Sequence, residues 1–330
     1  MRNIPMPNYS EIEDKLMSLP QAIQRFVKTG AQIALSGFTI TRNPMAAIYE
    51  MIRQGIKDIH LVCHSNGQGL DVLIGAGCVK RVEIAYAGNG RYAPTCFRFK
   101  KAVQSGLIEF EDYSNYQMSL RFLAGAQGIP FIPTKSGLGT DILRQEGFPR
   151  EIRTQRKVAS KKYEIIHNPF NGENDQVVLL PALNPDVMLL HAQYVGEDGT
   201  VRIKGLTFAD IEQAKAADTV IVTCEEIVPR SFIRQDPDQN SLPGFFVDAI
   251  VKVPHGAHPT SCFAFYDYDP MHLNLYKRMA QDDAVFEEYL HKWVYGVSSH
   301  EEYLEKVGKA TLSKIKADKV LGYAPGLDRK

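Results

Sequence analysis

Neither sign of charge prevails in this 330-residue chain, in which 38 lysines and arginines balance 38 aspartates and glutamates. No basic block stands out against that balance, so nucleic acid is not an expected partner. No stretch approaches about 18 consecutive apolar residues, and no membrane-spanning helix is predicted. Cysteine is sparse: Cys63, Cys78, Cys96, Cys224 and Cys262 are odd in number, widely spaced and without a C-x-x-C pair. That usage points to reduced thiols in a cytoplasmic protein rather than to a disulfide framework. The N-terminal stretch MRNIPMPNYSEIEDKL has acids and prolines where a signal peptide needs a basic segment and then an apolar one. The glycine-rich stretches SGLGTD and AGNGRY match neither G-x-G-x-x-G between a strand and a helix nor G-x-x-x-x-G-K-[ST], so the NAD and mononucleotide signatures are missing. Tandem repeats and low-complexity tracts are missing too.

At 44% hydrophobic and 23% charged residues, the chain has material for a large core, in one α/β unit or two smaller lobes. From residue 32, β-rich runs alternate with helical ones. QIALSGF, DIHLVCH, RVEIAYA and LIEFEDY read as strands, and NPMAAIYEMIRQG, GLDVLIGAGC, FRFKKAVQSG and NYQMSLRFLAGAQG as the helices between and after them. Short loops between such units predict an α/β fold with an open, mainly parallel sheet covered by helices. Residues 135–160 are polar and basic without a clear period, which fits an excursion or flap, or a partly helical surface segment. QVVLLPAL and DVMLLHAQYV follow as strands, with GEDG as a hairpin turn into TVRIKG. FADIEQAKAAD is a helix, and TVIVTCEEI and GFFVDAIVKV are further strands. From residue 271 to 330 the sequence is helical.

The stretch HLVCHSNGQG, residues 60–69, sets Cys63, His64, Ser65 and Asn66 at the end of a strand, where open α/β sheets place ligands. Strand neighbours point to opposite faces, so Cys63 and His64 do not form a nucleophile–base couple, and a polar, ligand-lining turn is the favoured reading. In SGFTITRNP, Gly37 lets the backbone approach a ligand and Arg42 offers a cation to a carboxylate or phosphate. Equally, Gly37 turns a strand and Arg42 is a solvated charge. Glu225 and Glu226 end an apolar strand as possible bases or nucleophiles; alternation admits at most one to a common site, and a structural role is favoured for both. His255 and His258 in PHGAHP lack a third metal ligand nearby, and His191 in DVMLLHAQ reads as a core histidine, so no metal site is expected.

Taken in order, IALSGFTITRNPMAAIYEMIRQGIKDI, DVLIGAGCVKRV, IEFEDYS, GIPFIPTKSGLGTD, NPF, PDVMLLHAQ with DGTVRI, VIVTCEEI, DPDQNSLPGFFVDAIV, PHGAHPTSCFAFYDYD and a final YLEKVG resemble the A-type chains of the class I CoA-transferase family, in its glutaconate branch. The resemblance runs from about residue 20 to 325. It implies a single alpha-subunit domain over 1–330, with the flap at 135–160 and the helical region at 271–330. It also implies a homologous partner, the B subunit, in an α2β2 heterotetramer. In such enzymes a glutamate of the B chain attacks the acyl-CoA thioester, passes through an acyl-glutamyl anhydride and a glutamyl-CoA thioester, and hands CoA to a short dicarboxylic acid such as glutaconate, with ping-pong kinetics. Coenzyme A is then a substrate, and no cofactor is held permanently.

By the pseudo-symmetry of the two chains, the partner's glutamate follows the strand that corresponds to DIHLVCH. His64, Ser65 and Asn66 therefore stand where the partner presents its nucleophile, and no acid occupies that loop; the nearest is Asp71. The loop SGFTITRNP keeps the family's Gly37, Phe38, Thr39, Arg42 and Pro44. The resemblance implies that it faces the partner's glutamate, with Gly37 and Phe38 supporting an oxyanion and Arg42, Ser65 and Asn66 binding substrate. AGNGRYAP departs from a family segment that carries a serine, which makes Asn89 and Arg91 the expected contacts for the substrate's distal carboxylate. Decarboxylases and hydrolases share the scaffold. The hydrolases use an A-chain glutamate near EDYSNYQ, where this chain has Ser114, Asn115 and Tyr116. A non-catalytic binding chain is the remaining alternative.

Overall fold

A computed structural model describes residues 12–145, 147–172 and 174–328; residues 1–11, most of the stretch that lacks signal-peptide character, lie outside the described residues. Apolar β-rich runs form strands β1 (Gln32–Leu35), β2 (Ile59–Asn66), β3 (Val79–Ala87), β4 (Glu109–Asp112), β5 (Phe131–Thr134), β6 (Glu164–His167), β7 (Gln176–Pro181), β8 (Val187–Gly196), β9 (Val201–Arg202), β10 (Thr219–Val228) and β11 (Ala249–Lys252). The main sheet has the order β11-β10-β8-β1-β2-β3-β4, parallel throughout, with β9 antiparallel on the end of β8. The chain builds outward from β1 in one direction through β4, then returns to the other side of β1 with β8. The order reverses between β1 and β8, and that reversal is where such sheets take ligands.

Alternation along the strands divides the interior in two. Ile33, Leu35, Leu61, Cys63 and Leu189 face one core, and Ala34, Val62, Met188 and Leu190 face the other. The first core is covered by α1 (Leu19–Phe26), α2 (Met45–Arg53), α3 (Gln68–Gly75) and α4 (Phe97–Gln104), and the second by α5 (Asn115–Ala126) and α6 (Asp210–Ala216). After α7 (Arg230–Gln235), helices α8 (Pro270–Met279), α9 (Asp283–Leu290), α10 (His300–Val307) and α11 (Lys309–Ile315) make up the C-terminal region. Start signals are explicit. Ser18 and Gln21 form a capping box on α1, Ser114 and Gln117 one on α5, and Asp269 caps α8 ahead of Pro270. No helix among the described residues is long and apolar enough to cross a membrane, and all five cysteines are buried and unpaired.

Two segments differ from the sequence reading. QVVLLPAL does not extend the parallel sheet; it forms β7, which pairs antiparallel with β5 and with β6 in a separate three-stranded sheet. Pro133 lies on the edge strand β5, where proline is tolerated, and Pro181 is the last residue of β7. GFFVDAIVKV shortens to β11, with a single 3-10 turn at Gly244–Phe246. Among the described residues of 135–160 the regular elements are two such turns, at Asp141–Leu143 and Ile152–Thr154. The segment is fastened to β4: the Glu111 carboxylate accepts from the Phe148 N–H at 2.9 Å, from Tyr113 Oη at 2.7 Å and from Arg153, and Lys162 donates to Asp112 at 2.9 Å.

Candidate active site

The loops that leave β1, β2 and β3 at their carboxyl ends meet around Gly67. A side chain there would strike the amide oxygen of Asn89 and come within 2.5 Å of the Thr39 carbonyl and 3.0 Å of the Gly88 carbonyl, so glycine is required by close approach rather than by turn geometry. The β1 loop closes on itself in a two-residue turn. Phe38 N–H donates to the Thr41 carbonyl at 2.9 Å and Thr41 N–H to the Phe38 carbonyl at 2.8 Å, with Thr39 at φ 50° on the tip. The Phe38 ring lies between Phe208, 4.6 Å away and stacked, and His64 at 5.7 Å.

Several of the residues singled out in the sequence have partners within the chain. Gly37 and Phe38 are not the open oxyanion donors: Gly37 N–H donates to Asp210 Oδ1 at 3.0 Å, and Phe38 N–H is spent in the turn. The tip amides of Thr39 and Ile40 are the ones without a hydrogen-bond partner among the described residues. Arg42 is neither a substrate cation nor a solvated charge. It is 1% exposed and ion-paired with Asp210 at 2.7 Å, and it donates to the carbonyls of His191 at 3.0 Å and Leu206 at 2.9 Å. Its backbone, at φ 52°, sends the side chain inward at the β1–β8 reversal. Asn66 is likewise a brace, its Nδ2 on the Ser36 carbonyl at 3.3 Å and its Oδ1 accepting from Leu70 N–H at 2.9 Å.

Ser65 and Asn89 stay at the meeting point. Ser65 Oγ donates to Asn115 Oδ1 at 2.6 Å, and Asn89 is buried with an amide oxygen that has no hydrogen-bond partner among the described residues. Sequence reasoning does not single out Asn115 as a contact, although the capping box at Ser114 signals that α5 begins at this edge. Arg91 is not drawn into the cluster. Its guanidinium lies 5.3 Å over the Tyr92 ring and within 3.3 Å of Tyr268 Oη. His64 is half-buried with an unpartnered Nδ1, and burial lowers its pKa against the pull of the Asn115 backbone. Cys63 faces the opposite core, and burial pushes its thiol up to about 12.

Glu225 and Glu226 part company in the structure. Glu226 points to solvent, while Glu225 is buried and accepts from His191 Nε2 at 2.9 Å, Tyr266 Oη at 2.8 Å and His255 N–H at 2.8 Å. Burial raises the Glu225 pKa, but these donors prevail and hold it below the ordinary value. His191 Nδ1 meets Thr223 Oγ1 at 2.8 Å. His255 stacks on Tyr266, whereas His258 bridges Tyr303 and Asp269, so the two PHGAHP histidines serve different networks.

Asp71, in the first turn of α3, is fully buried and accepts from Phe99 N–H and Tyr276 Oη at 2.8 Å each. Burial raises its pKa to about 6 against those bonds. Between about pH 4 and 6 the native chain therefore keeps a proton that the unfolded chain has lost, so this group's contribution to stability falls as pH rises through that window and then levels off. Relative to Asp71→Asn, wild type should lose about 3 kcal/mol between pH 4 and pH 8. Urea midpoints of the two proteins across pH check this, and parallel curves would refute it.

An open parallel sheet with its loops gathered at the carboxyl edge, beside the point of strand reversal, defines a doubly wound α/β fold, an architecture in which ligands sit at that edge. The chain belongs to the Coenzyme A transferase family, whose model matches residues 16–253. It is 40% identical over 310 residues to the A chain of glutaconate CoA-transferase from Acidaminococcus fermentans, covering 94% of this chain and 97% of that one. The crystal structure of glutaconate coenzyme A-transferase from the same organism superposes with a TM-score of 0.91 at 39% identity, covering 95% of this chain and 98% of the other. A crystal structure of the decarboxylase AibA/AibB superposes at 0.69 with 31% identity, over 83% and 97% of the two chains.

Proposed function

We propose that this chain is the alpha component of a cytoplasmic α2β2 CoA-transferase that moves CoA between an acyl-CoA and a short dicarboxylic acid such as glutaconate. One observation carries the reading. The loops that meet at Gly67 present backbone amides and small polar groups, while Asp71, Asp210 and Glu225 are buried and hydrogen-bonded. An edge so arranged supports acyl-transfer chemistry but supplies no attacking group, so the nucleophile belongs to the partner. The partner's glutamate attacks the thioester carbonyl and expels CoA thiolate, leaving an acyl-glutamyl anhydride. The thiolate then attacks the glutamyl carbonyl of that anhydride, which releases the first acid and leaves a glutamyl-CoA thioester. The acceptor carboxylate repeats the two exchanges in reverse. Each attack creates an oxyanion, for which the Thr39 and Ile40 amides are the donors on this chain. Ser65 and Asn89 line the site, and coenzyme A enters and leaves as a substrate.

The test is to co-purify the chain with its B-like partner, incubate the complex with acyl-CoA, and locate CoA by mass spectrometry. CoA on a glutamate of the partner, transferred on addition of glutaconate, is the expected result. Label on Glu225 or Glu226 would overturn it. So would release of carbon dioxide, or release of free acid beyond one equivalent per site without an acceptor, the first indicating a decarboxylase and the second a hydrolase.

A further inference from the structure

The start of α3 and the β1 turn lack partners of opposite kinds, and one side chain serves both. Helix α3 begins after Gly67, which has no side chain to offer the orphan N–H groups of the first turn. Leu70 N–H is taken instead by Asn66 Oδ1 at 2.9 Å, and Gly69 N–H by Asn43 Oδ1 at 3.2 Å, from 26 positions away. In the β1 turn the surplus is of acceptors. The Thr39 carbonyl at the tip and the Thr41 carbonyl each accept from Asn43 Nδ2 at 3.2 Å. The oxygen of one amide thus caps α3 while its nitrogen holds the turn, and only that orientation gives both ends complementary partners. Asn43 is 0% exposed and its backbone N–H donates to Thr260 Oγ1 at 3.1 Å, so it touches no substrate itself.

Peptide planarity turns that hold into an aim. In a trans peptide the C=O and the N–H of one unit point in opposite directions. The Thr39 carbonyl and the Ile40 N–H share a unit, so a donor behind the carbonyl fixes the direction of the N–H in front. The preceding unit, of the Phe38 carbonyl and the Thr39 N–H, is fixed by the turn itself through Thr41 N–H at 2.8 Å, and the following one by Ser261 N–H, which donates to the Ile40 carbonyl at 2.9 Å. Of the two tip amides, that of Ile40 is therefore the one whose direction depends on a side chain.

We propose that Asn43 is a positioning residue for CoA transfer: it aims the Ile40 N–H at the oxyanion and ties that aim to the start of α3. The proposal rests on the transferase reading above, in which the Thr39 and Ile40 amides are the oxyanion donors on this chain.

The test uses the co-purified complex carrying Asn43→Asp or Asn43→Ala. Aspartate keeps the acceptor for Gly69 N–H and loses the donor to the two carbonyls, whereas alanine loses both. In either variant kcat per assembled complex should fall about a hundredfold with KM for acyl-CoA within about twofold of wild type, since the weakened interaction is one made in the transition state. An unchanged kcat, or a rise in KM that accounts for the whole loss of kcat/KM, would overturn the proposal. Hydrogen–deuterium exchange read by mass spectrometry supplies a second measurement that needs no turnover. Peptides covering residues 37–42 should exchange faster than wild type in both variants, and peptides covering residues 67–71 in Asn43→Ala alone. Unchanged exchange in the turn would sink the brace, and failure of both variants to assemble would make Asn43 a folding residue instead. A wild-type complex that transfers no CoA would defeat the transferase reading, while exchange would still show whether Asn43 ties the two loops.

Discussion

Asp210→Ala should destabilise the chain by about 3–5 kcal/mol, more than Arg42→Met at the same pair. The two side chains are each 1% exposed and lie 2.7 Å apart at the reversal between β1 and β8. Removing the aspartate leaves a guanidinium in the interior with two carbonyl acceptors and no counter-charge, and arginine cannot shed its proton to escape. Removing the arginine leaves a carboxyl group that can take one up. Burial already raises the Asp210 pKa against the opposing pull of Arg42 and of the Gly37 N–H, so in Arg42→Met the acid is expected to bind a proton and remain as a neutral group. The asymmetry has a pH signature. Arg42→Met should recover stability as pH falls, because its folded-state acid then binds a proton that the unfolded chain releases; Asp210→Ala should not. Urea denaturation of both variants at two pH values checks the order. Equal losses at both pH values would mean that the pair acts as a hydrogen-bonded spacer rather than as two buried charges.

That ion pair marks where the sequence stops being legible. The alternation of β-rich and helical runs locates β1 to β4, β8 and β10, because a strand buried on both faces is written in consecutive residues. Strand alternation also separates Cys63 from His64 and Glu225 from Glu226. The partner of Arg42 lies 168 positions away on α6, and nothing in SGFTITRNP distinguishes a cation aimed at a ligand from one aimed at Asp210. The same holds for Asn66. Its side chain suits a binding loop and equally suits a brace between the Ser36 carbonyl and the Leu70 N–H, and the choice is made by the crossing of β1 and α3. The antiparallel sheet is partly legible, since Pro133 marks β5 as a strand suited to a sheet edge. The pairing of β5, β6 and β7 is a long-range fact that no local pattern records.

Gly37→Ala should lower turnover of the complex about a hundredfold while leaving its assembly intact. Gly37 sits at φ 86°, and a Cβ there would press on the backbone carbonyls of Thr41 and Arg42, the second only 2.6 Å away. Those carbonyls belong to the turn that aims the Thr39 and Ile40 amides, so the clash cannot be relieved without moving the tip. A displacement of about 1 Å is enough for the loss expected here. Gly30→Ala isolates the backbone part of the effect. Gly30 has a similar φ of 80° with nothing within 4 Å of the added carbon, so it carries the left-handed cost of about 1–2 kcal/mol without touching the site. If the two variants lose the same stability and the same activity, the turn plays no part in the chemistry. If Gly37→Ala instead separates the two chains in gel filtration at unchanged stability, the loop is a docking element, and the oxyanion donors must be sought on the partner. A fall in kcat with assembly and acyl-CoA KM preserved would place the Thr39 and Ile40 amides at the reacting carbonyl, since only interactions made in the transition state change kcat alone.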